Sequence, residues 1–265
     1  MENMYKKCII VLTLLISLLF PYIKSNAEED VYIIILEGFQ EKDSYIDLSE
    51  FDLSKNDADL DRTIKAVMFD NPELYWACDW YSRSASGNML KGIYPMYYEK
   101  CEDDVAFNAV VDSIVNYVNT LDDPIKKVKY IHDYLLLSTV YDVDISKGTA
   151  RTDIPNIARS PYGALINHST VCMGYSRAFQ LIASKTGINS ITVTNPDGTH
   201  VWNMVEIGDR WFHLDINNDR VAKAGTTGYI IYDYFLIPNE VVREFDIYKE
   251  WVIFSKYKWK NLIGG

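Results

Sequence analysis

Three residues, Cys172, His200 and Asp215, occur in an order and in local contexts that suit acyl transfer. A thiol can attack a carbonyl, an imidazole can take and return its proton, and a carboxylate can orient the imidazole. Cys172 lies in Ser169-Thr170-Val171-Cys172-Met173-Gly174-Tyr175-Ser176-Arg177-Ala178-Phe179, where loop residues run into an apolar-periodic stretch. Tyr175, Ala178, Phe179 and Ile182 fall on one helical face and Gly187 stops the run. A helix beginning near Cys172 is therefore expected, with Ser169 or Thr170 as its cap. Its N-terminus would favour a thiolate, and the backbone N–H groups there can meet the oxyanion of an attacked carbonyl. Gly174 removes a side chain where a substrate would need to approach.

His200 and Asp215 belong to two strand-like runs, 200–207 and 210–216, separated by Gly208-Asp209. A two-residue turn with glycine first makes Ile207 face Arg210. Trp202 then faces Asp215, and His200 faces Asn217. Alternation places His200, Trp202, Met204, Trp211, His213, Asp215 and Asn217 on one face, with His200 and Asp215 as diagonal cross-strand neighbours. A slip of one residue would part them. Trp202 and Asn217 join Gly174 as candidates for lining the oxyanion or substrate site. The plain alternative is a hairpin whose polar face carries a histidine and an aspartate for no catalytic reason. His213 is the rival base, and its partner Met204 sets it farther from the Asp215 end. His132 lies within an apolar-striped helix and reads as a satisfied structural histidine; His168 lies in a loop. Neither HExxH nor paired CxxC occurs, so no metal site is expected.

The elements that must hold these residues form an α+β sequence of helices followed by antiparallel strands. Residues 28–104 read as an α+β N-terminal region: a short buried strand at 31–36, a helix marked by Leu60, Ile64, Val67 and Met68, and strands at 75–81 and 89–98. The tyrosines and tryptophans of those strands are either half-buried strand positions or a sugar-binding face. Phe107, Val110, Val111, Ile114, Val118 and Leu121 mark a second helix. Asp122-Asp123-Pro124 opens a third, striped by Ile125, Val128, Ile131 and Leu135. Residues 139–168 are rich in polar and turn-forming types and read as a surface excursion.

Residues 1–27 read as a signal peptide: Lys6 and Lys7, a mostly apolar run from Cys8 to Phe20, then Ser25-Asn26-Ala27 as a cleavage site. Its removal takes three lysines and one glutamate and moves the formal charge from −11 to −13. Nucleic acid and anionic membrane surfaces are thereby disfavoured as partners, since both select clustered Lys and Arg. Beyond the export signal no membrane segment is expected, and the expected location is secreted or cell envelope. Three cysteines would remain: Cys78, Cys101 and Cys172. A Cys78–Cys101 bridge would leave Cys172 free; burial of all three as small apolar residues is the alternative.

The three motifs, taken in order, resemble the core of the transglutaminase-like superfamily, in particular secreted bacterial members. They are Val171 to Phe179, His200-Val201-Trp202-Asn203 and Trp211-Phe212-His213-Leu214-Asp215. Tyr130-Ile131-His132-Asp133-Tyr134-Leu135 with Tyr141-Asp142, and Asn71-Pro72-Glu73-Leu74-Tyr75-Trp76, look like accompanying segments. The resemblance implies a papain-like α+β fold in residues 105–265, with a nucleophile helix packed on an antiparallel sheet. It also implies a Cys172–His200–Asp215 triad and an upstream aromatic, Tyr162, aiding the oxyanion site. Relatives commonly carry a threonine and often a tryptophan after the aspartate, whereas this chain has Ile216-Asn217-Asn218-Asp219.

The expectation is an exported cysteine acyltransferase or hydrolase acting on amide bonds of peptides, proteins or peptidoglycan peptides, with no cofactor. A secreted papain-like protease is one alternative. A module that keeps the fold and binds peptide or glycan without catalysis is another.

Overall fold

A computed structural model of the protein describes residues 29–98, 104–148, 155–221, 230–244 and 248–255. The signal-peptide segment 1–27 and Cys101 lie outside the described residues. The chain divides into two compact units, Met1–Ile64 with Tyr81–Pro95, and Lys65–Trp80 with Met96–Gly265. Residues 65–80, read from sequence as part of the N-terminal region, thus fall in the second unit.

The first unit opens with helix α1 over 29–40, where the sequence suggested a strand at 31–36. Val31, Tyr32, Ile35 and Phe39 are buried while Ile33 is exposed, a helical spacing that alternation cannot produce. The apolar run was too short to separate the two periods without its continuation to Phe39. Strand β1 (Ile46–Asp47) follows in this unit, while helix α2 (Ala58–Asp70) and the hairpin strands β2 (Ala77–Ser86) and β3 (Met89–Tyr97) have residues in both units; the strand order is β1-β3-β2. Gly87 turns the hairpin with φ 61°. Tyr94 is half exposed beside Tyr45, their ring centroids 4.9 Å apart.

The second unit contains the elements that position the three candidate residues. Helices α3 (Asp104–Val118) and α4 (Pro124–Ser138) form as the stripes predict. Asp123 caps α4 by accepting from the Lys126 N–H at 3.0 Å. The stretch expected to wander holds short elements: β4 (Val140–Tyr141), α5 (Val143–Ser146), a 3-10 turn at Ile157–Arg159, and α6 (Pro161–Leu165). All five residues of α6 are buried, and Ser160 caps it by accepting from the Gly163 N–H at 3.2 Å. Strand β5 (Ser169–Thr170) pairs in parallel with β4 and leads into α7 (Cys172–Lys185).

Helix α7 is the centre of the core. Tyr175, Ala178, Phe179 and Ile182 pack with Val111 and Ile114 of α3, Val128 and Ile131 of α4, and Val205 and Leu214 of the sheet. Burying such aliphatic and aromatic side chains contributes roughly 1.5–3 kcal/mol each before entropy is counted. The helix also makes polar ties: Arg177, fully buried, donates to the Leu74 and Ala77 carbonyls at 2.8 and 2.9 Å, and Gln180 donates to the Phe69 carbonyl at 2.6 Å. Gly187, with φ 76°, ends it.

The sheet comprises β6 (Ser190–Thr194), β7 (Val201–Ile207), β8 (Arg210–Leu214), β11 (Ile237–Pro238) and, after α8 (Asn239–Val242), β12 (Val252–Ile253), while β9 (Arg220–Val221) and β10 (Ile230–Ile231) form a separate ribbon. Its order is β11-β8-β7-β6-β12, antiparallel throughout. The hairpin register is the predicted one: Ile207 pairs with Arg210, Met204 with His213 and Asn203 with Leu214. Gly208 supplies the positive φ, 62°, that the turn requires. One face, with Val205 and Leu214, meets α7; the other, with Ile191, Val193, Trp202 and Met204, packs on Val242 and Tyr248. The architecture is α+β, with a helix carrying Cys172 packed on an antiparallel sheet. No described helix is long and apolar enough to cross a membrane.

Candidate active site

Cys172 is the first residue of α7, partly exposed and carrying a free thiol. The expected cap from Ser169 or Thr170 does not form, because the N-cap is Val171, in extended backbone, with no side chain closing the first turn. Thr170 instead donates to the Ala158 carbonyl at 2.6 Å, and Ser169 to Asp142 Oδ2 at 3.2 Å. Strand pairing with β4 turns both hydroxyls away, and the first-turn N–H groups beside the thiol are left without a side-chain cap. Ser176 Oγ lies 2.9 Å from the Cys172 carbonyl and 3.2 Å from the Val201 carbonyl, tying the helix start to the strand that follows His200.

His200 and Asp215 flank the hairpin ends, one residue before β7 and one after β8. His200 Nε2 lies 2.5 Å from Asp215 Oδ2, and the same ring lies within electrostatic reach of the Cys172 side chain. The imidazole thus has both the carboxylate and the thiol as electrostatic neighbours. Burial works against its charged form, but the Asp215 charge, the Asp215 hydrogen bond and the Cys172 contact outweigh it and raise its pKa to about 10. The ring lies over Trp202 with centroids 5.7 Å apart and planes 18° from parallel.

The rival base is occupied on both nitrogens. His213 Nδ1 accepts from Trp202 Nε1 at 2.8 Å, and Nε2 lies 2.9 Å from Asn239 Oδ1. Burial is the main cause that lowers its pKa to about 4, so it is a neutral structural ring. His132 is likewise structural, with Nδ1 2.9 Å from Asp133 Oδ1 and Nε2 3.0 Å from Asp219 Oδ2.

Of the remaining candidates, Trp202, Gly174 and Tyr162 are buried and Asn217 is half-buried. Trp202 is fully buried beneath His200, supporting the ring in place of lining a substrate path. Gly174 is required by packing: a Cβ there would meet Thr170 Oγ1 at 1.9 Å and the Ala158 carbonyl at 2.5 Å, so that side is filled by protein. Tyr162 is buried in α6 and stacks on Phe107 at 5.8 Å. Asn217 is half-buried, with Oδ1 enclosed and unbonded among the described residues. Cys101, the bridge partner considered for Cys78, lies outside the described residues; Cys78 has a buried thiol that donates to the Met96 carbonyl at 2.9 Å, and burial raises its pKa to about 12.

Sequence reasoning missed three neighbours. Tyr248 and Asn218 both bond Asp215, at 2.6 and 3.1 Å. Tyr141 lies within the electrostatic reach of Cys172 and Asp215; burial first, then these charges, raise its pKa. Tyr141 was visible only within an accompanying motif, and Tyr248 carried no motif at all.

Residues 112–216 match the family model described as the transglutaminase-like superfamily, so the chain carries a transglutaminase-like segment spanning all three candidate residues. Two solved structures are similar at 14% identity. One is a TGase, with TM-score 0.37, covering 58% of this chain and 47% of that one. The other, described as a candidate cysteine protease from Cytophaga hutchinsonii, has TM-score 0.33 and covers 42% and 38%. The chain thus spans less than half the length of either. No curated protein matches it.

Proposed function

We propose that this protein is a cysteine-dependent enzyme that transfers or hydrolyses acyl groups of amide bonds through a thioester on Cys172. The observation that carries the reading is the His200–Asp215 contact at 2.5 Å, with the Cys172 side chain within electrostatic reach of the same ring at the uncapped start of α7. The thiol proton passes to His200, and the sulfur adds to the carbonyl carbon as the carbonyl π electrons move to oxygen. N–H groups of the first helical turn face that oxyanion. Collapse breaks the C–N bond, and the departing amine takes the proton from the imidazolium, leaving a thioester. Water or a primary amine then gives a proton to His200 and adds to the thioester; C–S cleavage returns the thiol. Asp215 holds the ring in the orientation that faces sulfur throughout. The substrates are peptide or protein amides. Export to the cell envelope, with envelope proteins or peptidoglycan peptides as targets, follows from the N-terminal sequence pattern and the resemblance.

The test is site-resolved alkylation by iodoacetamide across pH. Cys172 is expected to label at mildly acidic pH, where an ordinary thiol is protonated, and His200→Ala to abolish that reactivity while sparing labelling at high pH. A Cys172 that reacts only as an ordinary thiol would overturn the reading.

A further inference from the structure

Asp215 is held by more than its contact with His200. Its buried Oδ2 accepts from the Tyr248 hydroxyl at 2.6 Å and from Asn218 Nδ2 at 3.1 Å, besides lying 2.5 Å from His200 Nε2. Oδ1 accepts from the Asn218 backbone N–H at 3.2 Å. Asn218 Nδ2 also donates to the Tyr248 oxygen at 2.6 Å, so the hydroxyl receives one proton and directs its own at Asp215. The three groups form a closed ring of hydrogen bonds around one carboxylate.

Each support is itself anchored. Tyr248 is fully buried, edge-on to Trp202 at 5.0 Å and to His200 at 6.2 Å. Asn218 sits in a turn whose next residue, Asp219, is bonded to His132 Nε2 at 3.0 Å and accepts from the Tyr234 N–H at 2.7 Å. The carboxylate needs this support because Asp215 lies just past the end of β8, and the last torsion of an aspartate is broad and weakly determined by its backbone. Both supports lie outside the matched segment 112–216.

We infer that Tyr248 and Asn218 are positioning residues that fix the plane of the Asp215 carboxylate and, through it, the His200 ring that faces Cys172. The inference rests on the acyl-transfer reading above.

Tyr248→Phe keeps the ring against Trp202 and His200 and removes only the hydroxyl. The full chain, wild type and variants, is alkylated from about pH 5 to about pH 9 and the labelled cysteines are resolved by peptide mass. The ionisable groups facing His200 are the Asp215 carboxylate, the Cys172 thiol and the Tyr248 phenol. Cys172 labelling at the acidic end is expected to slow about tenfold in Tyr248→Phe and further with Asn218→Ala added, approaching Asp215→Ala. Labelling near pH 9, where a free thiol ionises unaided, should persist in each, roughly at the wild-type rate. Cys78, buried in the fold, reports unfolding by becoming reactive. If it labels in Tyr248→Phe, the single variant Asn218→Ala, which leaves the aromatic packing untouched, decides the matter.

An unchanged acidic limb in both single variants overturns the inference and leaves the acyl-transfer reading standing. A faster acidic limb in Tyr248→Phe also overturns it, because the hydroxyl would then compete with His200 for the carboxylate. A wild type without any acidic limb overturns the reading and the inference together.

Discussion

At the residue scale the two histidines on one face of the hairpin are driven in opposite directions, and stability should record both. His200, raised to about 10, holds its proton more tightly in the fold than in the unfolded chain. Its contribution is complete below about pH 6.5 and fades as pH rises towards 10. His213, lowered to about 4, contributes above about pH 6.5 and loses that contribution as pH falls towards 4. Urea denaturation should therefore show the gap between wild type and His200→Gln widest at about pH 6.5 and below, closing on the alkaline side. The gap between wild type and His213→Gln should close on the acid side instead, each by a few kcal/mol at most. The same pair separates catalytic from structural roles, since His213→Gln should keep the acid-side reactivity of Cys172 that His200→Ala loses. Alternation and register made this face legible in sequence, down to the pairing of Met204 with His213. Which histidine would be free to take a proton was not legible, because the Trp202 and Asn239 bonds that occupy His213 are tertiary contacts.

At the scale of elements, the start of α7 depends on a close approach that only glycine permits. In an ordinary helix Gly→Ala gains about 1 kcal/mol through propensity. At Gly174 the new Cβ would sit 1.9 Å from Thr170 Oγ1 and 2.5 Å from the Ala158 carbonyl, a backbone atom that cannot swing aside. Thr170 is fully buried and already bonded to that carbonyl. Overpacking wins, and Gly174→Ala should destabilise the protein by about 3 kcal/mol in chemical denaturation. Thr170→Ala in the same chain should restore only part of the loss, because the carbonyl stays. Helices α3, α4 and α7 were readable because their apolar stripes run for several turns. The strand expected at 31–36 and the excursion expected at 139–168 failed for related reasons. Short apolar runs do not fix a period, and a helix of five residues such as α6 announces itself only through the Ser160-Pro161 cap. The Thr170 cap failed because pairing with β4 gave its hydroxyl a better partner.

At the scale of the whole molecule, the segment that matches a family and the segment that can fold are different. Residues 112–216 contain Cys172, His200 and Asp215 but supply only the three central strands of the five-stranded sheet. Its two edges come from β11 and β12, at 237–238 and 252–253, and without them β8 and β6 would expose unpaired backbone groups. Tyr248, which fills the face opposite α7 and bonds Asp215, would be lost as well. On the other side of the sequence, Leu74 and Ala77 supply the carbonyls that pair with Arg177, a buried charge that would otherwise be stranded. A chain ending at residue 216 should therefore aggregate or remain expanded, eluting early in size-exclusion chromatography, with Cys78 and Cys172 both alkylated as ordinary thiols. A fragment of 112–216 alone should fare no better, having lost the Arg177 partners too. Recovery of a compact 1–216 chain with an acid-reactive Cys172 would show that the outer strands and Tyr248 are dispensable. It would return the alignment of Asp215 to the hairpin alone.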